Sequence, residues 1–104
     1  MFRTYQVAVS TTATVLIIPY SDDRTAWHLM HHTAGGVIYF SSDNHDALTT
    51  GMILPTDLEH ICNYHEGGDP RIAVYAQASG ASAIACVRED MLDKKILEKS
   101  GYGT

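Results

Sequence analysis

The sequence predicts a small all-β protein, an antiparallel β-sandwich or barrel with a short C-terminal α-helix. Short runs rich in β-branched and aromatic residues recur between residues 7 and 89, and turn-forming residues separate them at regular intervals. Helical periodicity is confined to residues from 90 onward. The 104 residues, 45% apolar and 18% charged, suit one globular domain. We therefore expect five or six strands in a β-sandwich domain at 1–89, and a C-terminal helix and tail at 90–104.

The chain opens with the strand-like runs 7–10 and 12–18. The second run ends next to Pro19, and the turn-forming residues 19–23 follow it. Residues 1–6 precede the first of these runs. The sequence does not decide whether they form a free arm or a strand lent to a neighbouring chain.

A glycine pair separates the next two runs. Residues 27–33 alternate between two faces, and a further run at 37–40 begins directly after Gly35 and Gly36. Two glycines accept positive φ at both central positions of a tight turn. This spacing predicts a hairpin between the two runs.

The middle of the chain starts with a long polar connection at 41–51, which we expect to be exposed. Residues 52–55 predict a short edge strand that ends at a proline. Residues 56–59 predict a turn or a single helical turn, because Thr and Glu have capping-box spacing there. Residues 60–64 predict a further strand.

The last part of the chain predicts a hairpin between 71–78 and 83–89, followed by a helix at 90–99. Asp90 can cap this helix, and its acids precede its lysines as the helix dipole favours. Gly101 is placed to end it. Because so short a helix is marginal in water, its apolar stripe must pack on this domain or on another chain.

Several predicted strands are apolar on both faces, as in 15–18, 37–40 and 83–87. Burial on two sides explains this pattern, with one face against the partner sheet and the other against a neighbouring subunit. Most aromatic residues also fall in strands, where core filling explains them.

The net charge of −5 argues against nucleic acid as a partner, since phosphate contacts need clustered Lys and Arg. No run of apolar residues approaches the length of a membrane-spanning helix, and the N-terminus lacks the apolar region of a signal peptide. Cys62 and Cys86 lack CxxC spacing, and buried free thiols are favoured over a disulfide.

Six histidines invite a metal or catalytic interpretation. They are His28, His31, His32, His45, His60 and His65. No HExxH or related ligand pattern occurs, no GxSxG motif surrounds a serine, and the glycine pairs lack phosphate-loop spacing. The sequence therefore predicts no enzyme, no catalytic residue, no metal ligand and no cofactor. Histidines at subunit contacts would instead weaken assembly on acidification.

Short motifs in a defined order run from residue 11 to residue 89. A strand ends in apolar residues and proline, the next begins after an arginine, and a GVIY run, a GMILP run and a VYAQASG-type hairpin follow. The pieces are 15–19, Arg24, 36–39, 51–55, 72–78 and 80–87. In this order the chain resembles small β-sandwich virion proteins of tailed bacteriophages.

The resemblance implies a structural virion protein, and a capsid decoration protein that binds the outer shell of the particle is the leading interpretation. Its partners would be the major capsid protein or other virion subunits, and we expect a homo-oligomer. Its location would be the virion, assembled in the host cytoplasm. The resemblance implies no catalysis. Contact residues are expected in the long loop and in the C-terminal helix: Asp43, Asn44, His45, Asp46, Leu92, Ile96 and Leu97.

Three alternatives remain open at this point. A head-fibre or tail accessory protein would share the fold and use a different partner. A carbohydrate-binding module would expose Trp27, or Tyr64 and Tyr102, around a shallow groove. A small metal-dependent enzyme would depend on His31 or His32.

Overall fold

The computed structural model describes residues 1–31, 36–42 and 51–92, and the structural statements below concern these residues. Within them the chain forms eight β-strands and one short 3-10 helix. In chain order the elements are β1 (Phe2–Ala8), β2 (Val15–Ile18), β3 (Arg24–His31), β4 (Ile38–Ser41), β5 (Met52–Leu54), β6 (Leu58–Asn63), the 3-10 helix Tyr64–Glu66, β7 (Val74–Ala78) and β8 (Ile84–Met91).

The strands form two antiparallel four-stranded sheets. Sheet I has the order β1-β8-β3-β6, and sheet II has the order β2-β7-β4-β5. Consecutive strands lie in different sheets, except β4 and β5, which pair within sheet II. This strand order is that of a jelly roll, a double-sheet architecture of eight strands. The predicted antiparallel β-sandwich is therefore confirmed.

The core lies between the sheets because each strand turns alternate side chains inward. Trp27, Leu29 and His31 of β3 are buried, as the alternation in the sequence predicts. Ile38 and Phe40 of sheet II are buried by the same alternation. Each of these strands therefore has one face in the core and one face outside it.

Both predicted hairpins are wrong. β3 pairs with β6 and β8 in sheet I, whereas β4 pairs with β5 and β7 in sheet II. In the same way β7 belongs to sheet II and β8 to sheet I. The connections carry the chain across the core, so the apolar faces of consecutive strands are buried between the two sheets rather than side by side in one sheet.

The beginning of the chain also differs from the prediction. β1 starts at Phe2 and pairs along its whole length with β8 of the same chain. The predicted strand start at residue 7 is therefore wrong, and the preceding residues belong to a strand that pairs within this chain. Arg3 and Tyr5 explain the difference, because both side chains bind the carboxylate of the buried Glu89 and thereby fix the strand to sheet I.

The end of the described chain is extended. β8 continues through Asp90 to Met91, so Asp90 does not cap a helix and the predicted helix start is wrong. The backbone N–H of Leu92 then donates to the carbonyl oxygen of Asp23 at 2.7 Å. The rest of the predicted helix, at 93–99, lies outside the described residues. No helix in the described part of the chain is long and apolar enough to span a membrane.

The predicted edge strand is confirmed at β5, which lies at the edge of sheet II and is followed by Pro55. The chain turns at Thr56 and at Asp57, whose φ is +67°. Leu58 and Glu59 already belong to β6, so residues 56–59 form a turn into a strand and not a helical turn. This turn leads from sheet II back to sheet I.

Candidate functional site

Most residues predicted to contact a partner lie outside the described residues. These are Asp43, Asn44, His45 and Asp46 of the long loop, and Ile96 and Leu97 of the predicted helix. Leu92 is described: it follows β8 directly, and 41% of its side chain is exposed. The described surface therefore has to be examined on its own chemistry.

The outer face of sheet II carries no charged side chain among the residues of its strands. Leu16 of β2 lies opposite Tyr75 of β7, and Tyr39 of β4 lies opposite Gln77 of β7 and Ile53 of β5. Leu16 is 48% exposed and Ile53 is 59% exposed. We call these five residues the sheet II face. Its exposed apolar side chains are Leu16 and Ile53; Tyr39 and Tyr75 are half-buried, and Gln77 is buried, with hydrogen bonds to Thr11 and Thr14.

The outer face of sheet I has the opposite character. His28 lies at its centre, with Nδ1 2.6 Å from Oε1 of Glu59 and Nε2 3.7 Å from Oδ2 of Asp90. Arg88 donates from Nε to Asp90 at 3.1 Å, and its guanidinium carbon lies 4.3 Å from the ring centre of Phe2. Arg88 and Asp90 pair along β8, and His28 contacts side chains of β6 and β8 across the strands, so the polar groups of this face bond with one another.

An open groove of about 580 Å³ crosses sheet I beside His28. Thr4, Gln6, Met30 and Arg88 line it together with Glu59. Hydroxyl, amide, imidazole and carboxylate groups therefore meet in one shallow depression. No aromatic ring forms a flat platform at its base, because the inward-turned Tyr5 is the aromatic residue in its lining.

The described histidines are dispersed. His31 is fully buried, and its Nε2 lies 2.7 Å from the carbonyl oxygen of Gly36, to which it donates. His28 lies on the outer face of sheet I, and His60 packs against Trp27 and Phe40 between the sheets. Among the described residues no three His, Cys, Asp or Glu side chains come together as a metal site.

A second cavity, of about 350 Å³, opens between the sheets on the side where β6 and β5 form the two edges. Trp27, Phe40 and His60 line it, together with Met52 and Ile72 at its rim. Trp27 is only 5% exposed. It is therefore part of the cavity wall and not an exposed sugar platform, whereas Tyr64, the other described aromatic residue named for a carbohydrate-binding module, is exposed.

Cys86 lies on the outer face of sheet I beside the groove. Burial raises the pKa of its thiol, and a hydrogen bond with Gln6 opposes that shift to a smaller extent. A thiol with a raised pKa has less thiolate at neutral pH, and the thiolate is the nucleophile. The chemistry of Cys86 is therefore that of a packed side chain.

In the variant Cys62→Ala, which leaves Cys86 as the only thiol, we expect alkylation by iodoacetamide at pH 8 to be slower than that of glutathione. The reason is the smaller thiolate fraction and the packed surroundings of Cys86. Alkylation followed by mass spectrometry measures both rates under identical conditions. A Cys86 rate equal to or above the glutathione rate contradicts this expectation.

Comparison of the chain with protein-family models, with curated proteins and with solved structures finds no match.

The two-sided apolar pattern of the sequence pointed towards the sheet II face, since 15–18 and 37–40 contribute Leu16 and Tyr39 to it. The groove on sheet I and the cavity between the sheets were not predicted. Both combine residues that are distant in sequence, such as Trp27 with Ile72, and no short motif records such a combination.

Proposed function

We propose that this protein is a structural virion protein, and specifically a capsid decoration protein that binds the outer shell of a bacteriophage particle without catalysis. The observation that carries the proposal is the uncharged sheet II face on a jelly-roll sandwich. Jelly rolls are common in viral capsid proteins, and this support is a fold-level analogy. The family resemblance of the sequence points in the same direction.

The sheet II face has the chemistry of a protein contact. Leu16 and Ile53 each expose about half of an aliphatic side chain, and Tyr39 and Tyr75 lie between them. Contiguous exposed apolar residues on a monomer mark interaction sites, and aromatic residues are enriched at the centres of interfaces. We assign this face to the major capsid protein of the shell.

The face can be small and still function in decoration. Burial of apolar surface contributes about 25 cal/mol per Å², and an oligomer placed on a symmetric shell makes the same contact several times. We therefore propose a homo-oligomer whose copies each present sheet II to the shell. The polar face of sheet I, with Glu59, Arg88 and Asp90, would then face solvent.

The variant Ile53→Asp tests this assignment, because it places a charge at the more exposed of the two aliphatic side chains of the proposed contact. We expect it to bind head particles assembled without this chain at least about tenfold more weakly than the unchanged protein, since burying an unpaired carboxylate costs more than the 1.4 kcal/mol that tenfold requires. Thr4→Asp is the matched control: it adds the same charge to the exposed outer face of sheet I and should bind normally. Co-sedimentation with purified heads measures the binding of the unchanged protein and of both variants.

Two results would overturn the proposal. One is failure of the unchanged protein to bind such heads, and the other is an equal loss of binding in the two Asp variants. Normal binding to tails and none to heads would support a tail accessory protein in place of capsid decoration. Light scattering on the purified chain reports the oligomer separately.

A carbohydrate-binding module is the second candidate, and the groove on sheet I is the observation that favours it. Thr4, Gln6, His28 and Glu59 place donors and acceptors suited to sugar hydroxyls in one depression. A glycan array carried out with the purified protein tests this candidate. An array without signal at high protein concentration would eliminate it.

A further inference from the structure

The cavity between the sheets has the size of a small-molecule site. Its volume of about 350 Å³ falls in the range of about 300–1,000 Å³ that is usual for ligand pockets. It opens at the side of the sandwich where β5 and β6 are the edge strands. We call it the inter-sheet cavity.

Aromatic rings form its inner wall. The rings of Trp27 and Phe40 meet edge to face, with centroids 6.3 Å apart and an interplanar angle of 88°. His60 completes the group, with its ring centre 5.5 Å from that of Trp27 and 5.0 Å from that of Phe40. Because Trp27 and Phe40 are buried in the core, this wall is held rigidly by both sheets.

The mouth of the cavity is apolar as well. Met52 and Ile72 line it, and both side chains are exposed to a degree that is unusual for residues beside a core. Asp69 also lines the cavity, but its carboxylate accepts hydrogen bonds from Nε and Nη2 of Arg71 at 3.0 Å each. The lining therefore offers a ligand mainly apolar and aromatic contacts.

The imidazole of His60 offers a polar group within the aromatic wall. The ring nitrogens of His60 form no hydrogen bond with any of the described residues, although the ring packs firmly on two sides. An imidazole has one donor or acceptor at each nitrogen. The described residues of the lining include no Lys or Arg, so none of them offers an anion a permanent positive charge.

We propose that the inter-sheet cavity binds a small, neutral, aromatic molecule that carries one hydrogen-bonding group. The aromatic part packs against Trp27 and Phe40, in the offset or edge-to-face arrangements that aromatic rings prefer. The polar group of the ligand reaches His60. This inference does not rest on the proposed function in the virion, since it uses the space between the sheets and not the outer face of sheet II.

The test uses N-phenyl-1-naphthylamine, a neutral aromatic amine, with Trp27 as the reporter. Trp27 is the single tryptophan of the chain, so quenching of its emission and transfer to the probe report binding to the chain, and variants of the lining assign that binding to the cavity. We expect saturation at one probe per chain. Ala73→Phe, which adds a ring to the lining, should abolish saturable binding. His60→Leu should weaken it by about twofold to tenfold, as loss of one hydrogen bond predicts.

Ile61→Ala is the matched control, because Ile61 lies on β6 next to His60 but faces outward and does not line the cavity. It should bind the probe as the unchanged protein does. Circular dichroism and the urea midpoint of each variant show that it is folded. The proposal would be overturned if the unchanged protein showed no saturable transfer, or if Ala73→Phe bound the probe as well as the unchanged protein does. It would also be overturned if the mass of the protein doubled when the probe is bound, because the probe would then lie between two copies of the chain.

Discussion

Glu89→Gln is expected to lower the free energy of unfolding by about 3–5 kcal/mol, the usual cost of removing one partner of a buried ion pair. Glu89 and Arg24 both have fully buried side chains, and Nη1 of Arg24 lies 3.5 Å from Oε2 of Glu89. The substitution keeps the shape of the side chain but leaves the guanidinium without its counter-charge. Urea unfolding followed by circular dichroism measures the change.

The cost is high because Arg24 has no route to solvent. Its remaining N–H groups donate to backbone carbonyl oxygens of two connections between strands, those of Pro19, Pro70, Arg71 and Ile72. The guanidinium therefore holds the β2–β3 and β6–β7 links at one end of the sandwich. Without Glu89 the charge stays buried in this position, and the links must open to hydrate it.

Tyr5 is part of the same cluster. Its hydroxyl donates to Oε1 of Glu89 at 2.5 Å. Burial raises the pKa of Tyr5 well above its usual value of 10.0, and the hydrogen bond to the Glu89 carboxylate raises it further. Because the pKa of Tyr5 is higher in the folded than in the unfolded protein, the phenol stabilises the fold fully below pH 10. This stabilisation is lost as the pH rises from there through the folded-state pKa. At neutral pH the phenol is therefore a permanent donor to Glu89.

Arg3→Ala is the matched control for Glu89→Gln. Arg3 also binds Oε2 of Glu89, at 3.0 Å, but its side chain is 58% exposed. Because the Arg3 side of this pair is open to solvent and Glu89 keeps Arg24 as a partner, this variant should lose clearly less free energy than Glu89→Gln. If the two variants lost the same free energy, the buried charge of Arg24 would not be the source of the effect.

How much of this fold can be predicted from the sequence depends on how far apart in the chain the interacting residues lie. Alternation within β3 correctly placed Trp27, Leu29 and His31 on the buried face, because it needs only the geometry of one strand. The partner of each strand was predicted wrongly for β3–β4 and β7–β8. A glycine-rich turn allows a tight hairpin, but it equally allows the chain to cross to the other sheet, and burial over the whole molecule decides between them.

The same distinction between local and long-range interactions applies to the candidate sites. The sheet II face leaves a local trace, since strands such as β2 and β4 are apolar on both sides. The Arg24–Glu89 pair leaves none, because the two residues are distant in the sequence and each resembles an ordinary strand-end charge. Likewise nothing in the sequence around His60 shows that Trp27 and Phe40 will enclose it.

The opposite end of the sandwich is held by backbone geometry instead of charge, and Gly36→Ala is expected to lower the free energy of unfolding by about 2–4 kcal/mol. Gly36 has a φ of +79°, and a Cβ atom there would lie 2.2 Å from Oγ of Ser79. Positive φ at a non-glycine residue costs about 1–3 kcal/mol. The clash also displaces Oγ from the backbone N–H of Val37, which it accepts at 2.9 Å, at a further cost of about 1 kcal/mol.

Gly67→Ala separates these two contributions. Gly67 has nearly the same φ, +81°, but a Cβ atom there meets no atom within 4 Å. Its substitution should therefore show the conformational cost alone, and the urea midpoint of Gly36→Ala should fall further. Equal midpoints would mean that Ser79 moves away freely. A larger loss at Gly36 would show that the chain is held tightly at this residue, whose carbonyl oxygen also accepts hydrogen bonds from His31 and Thr56.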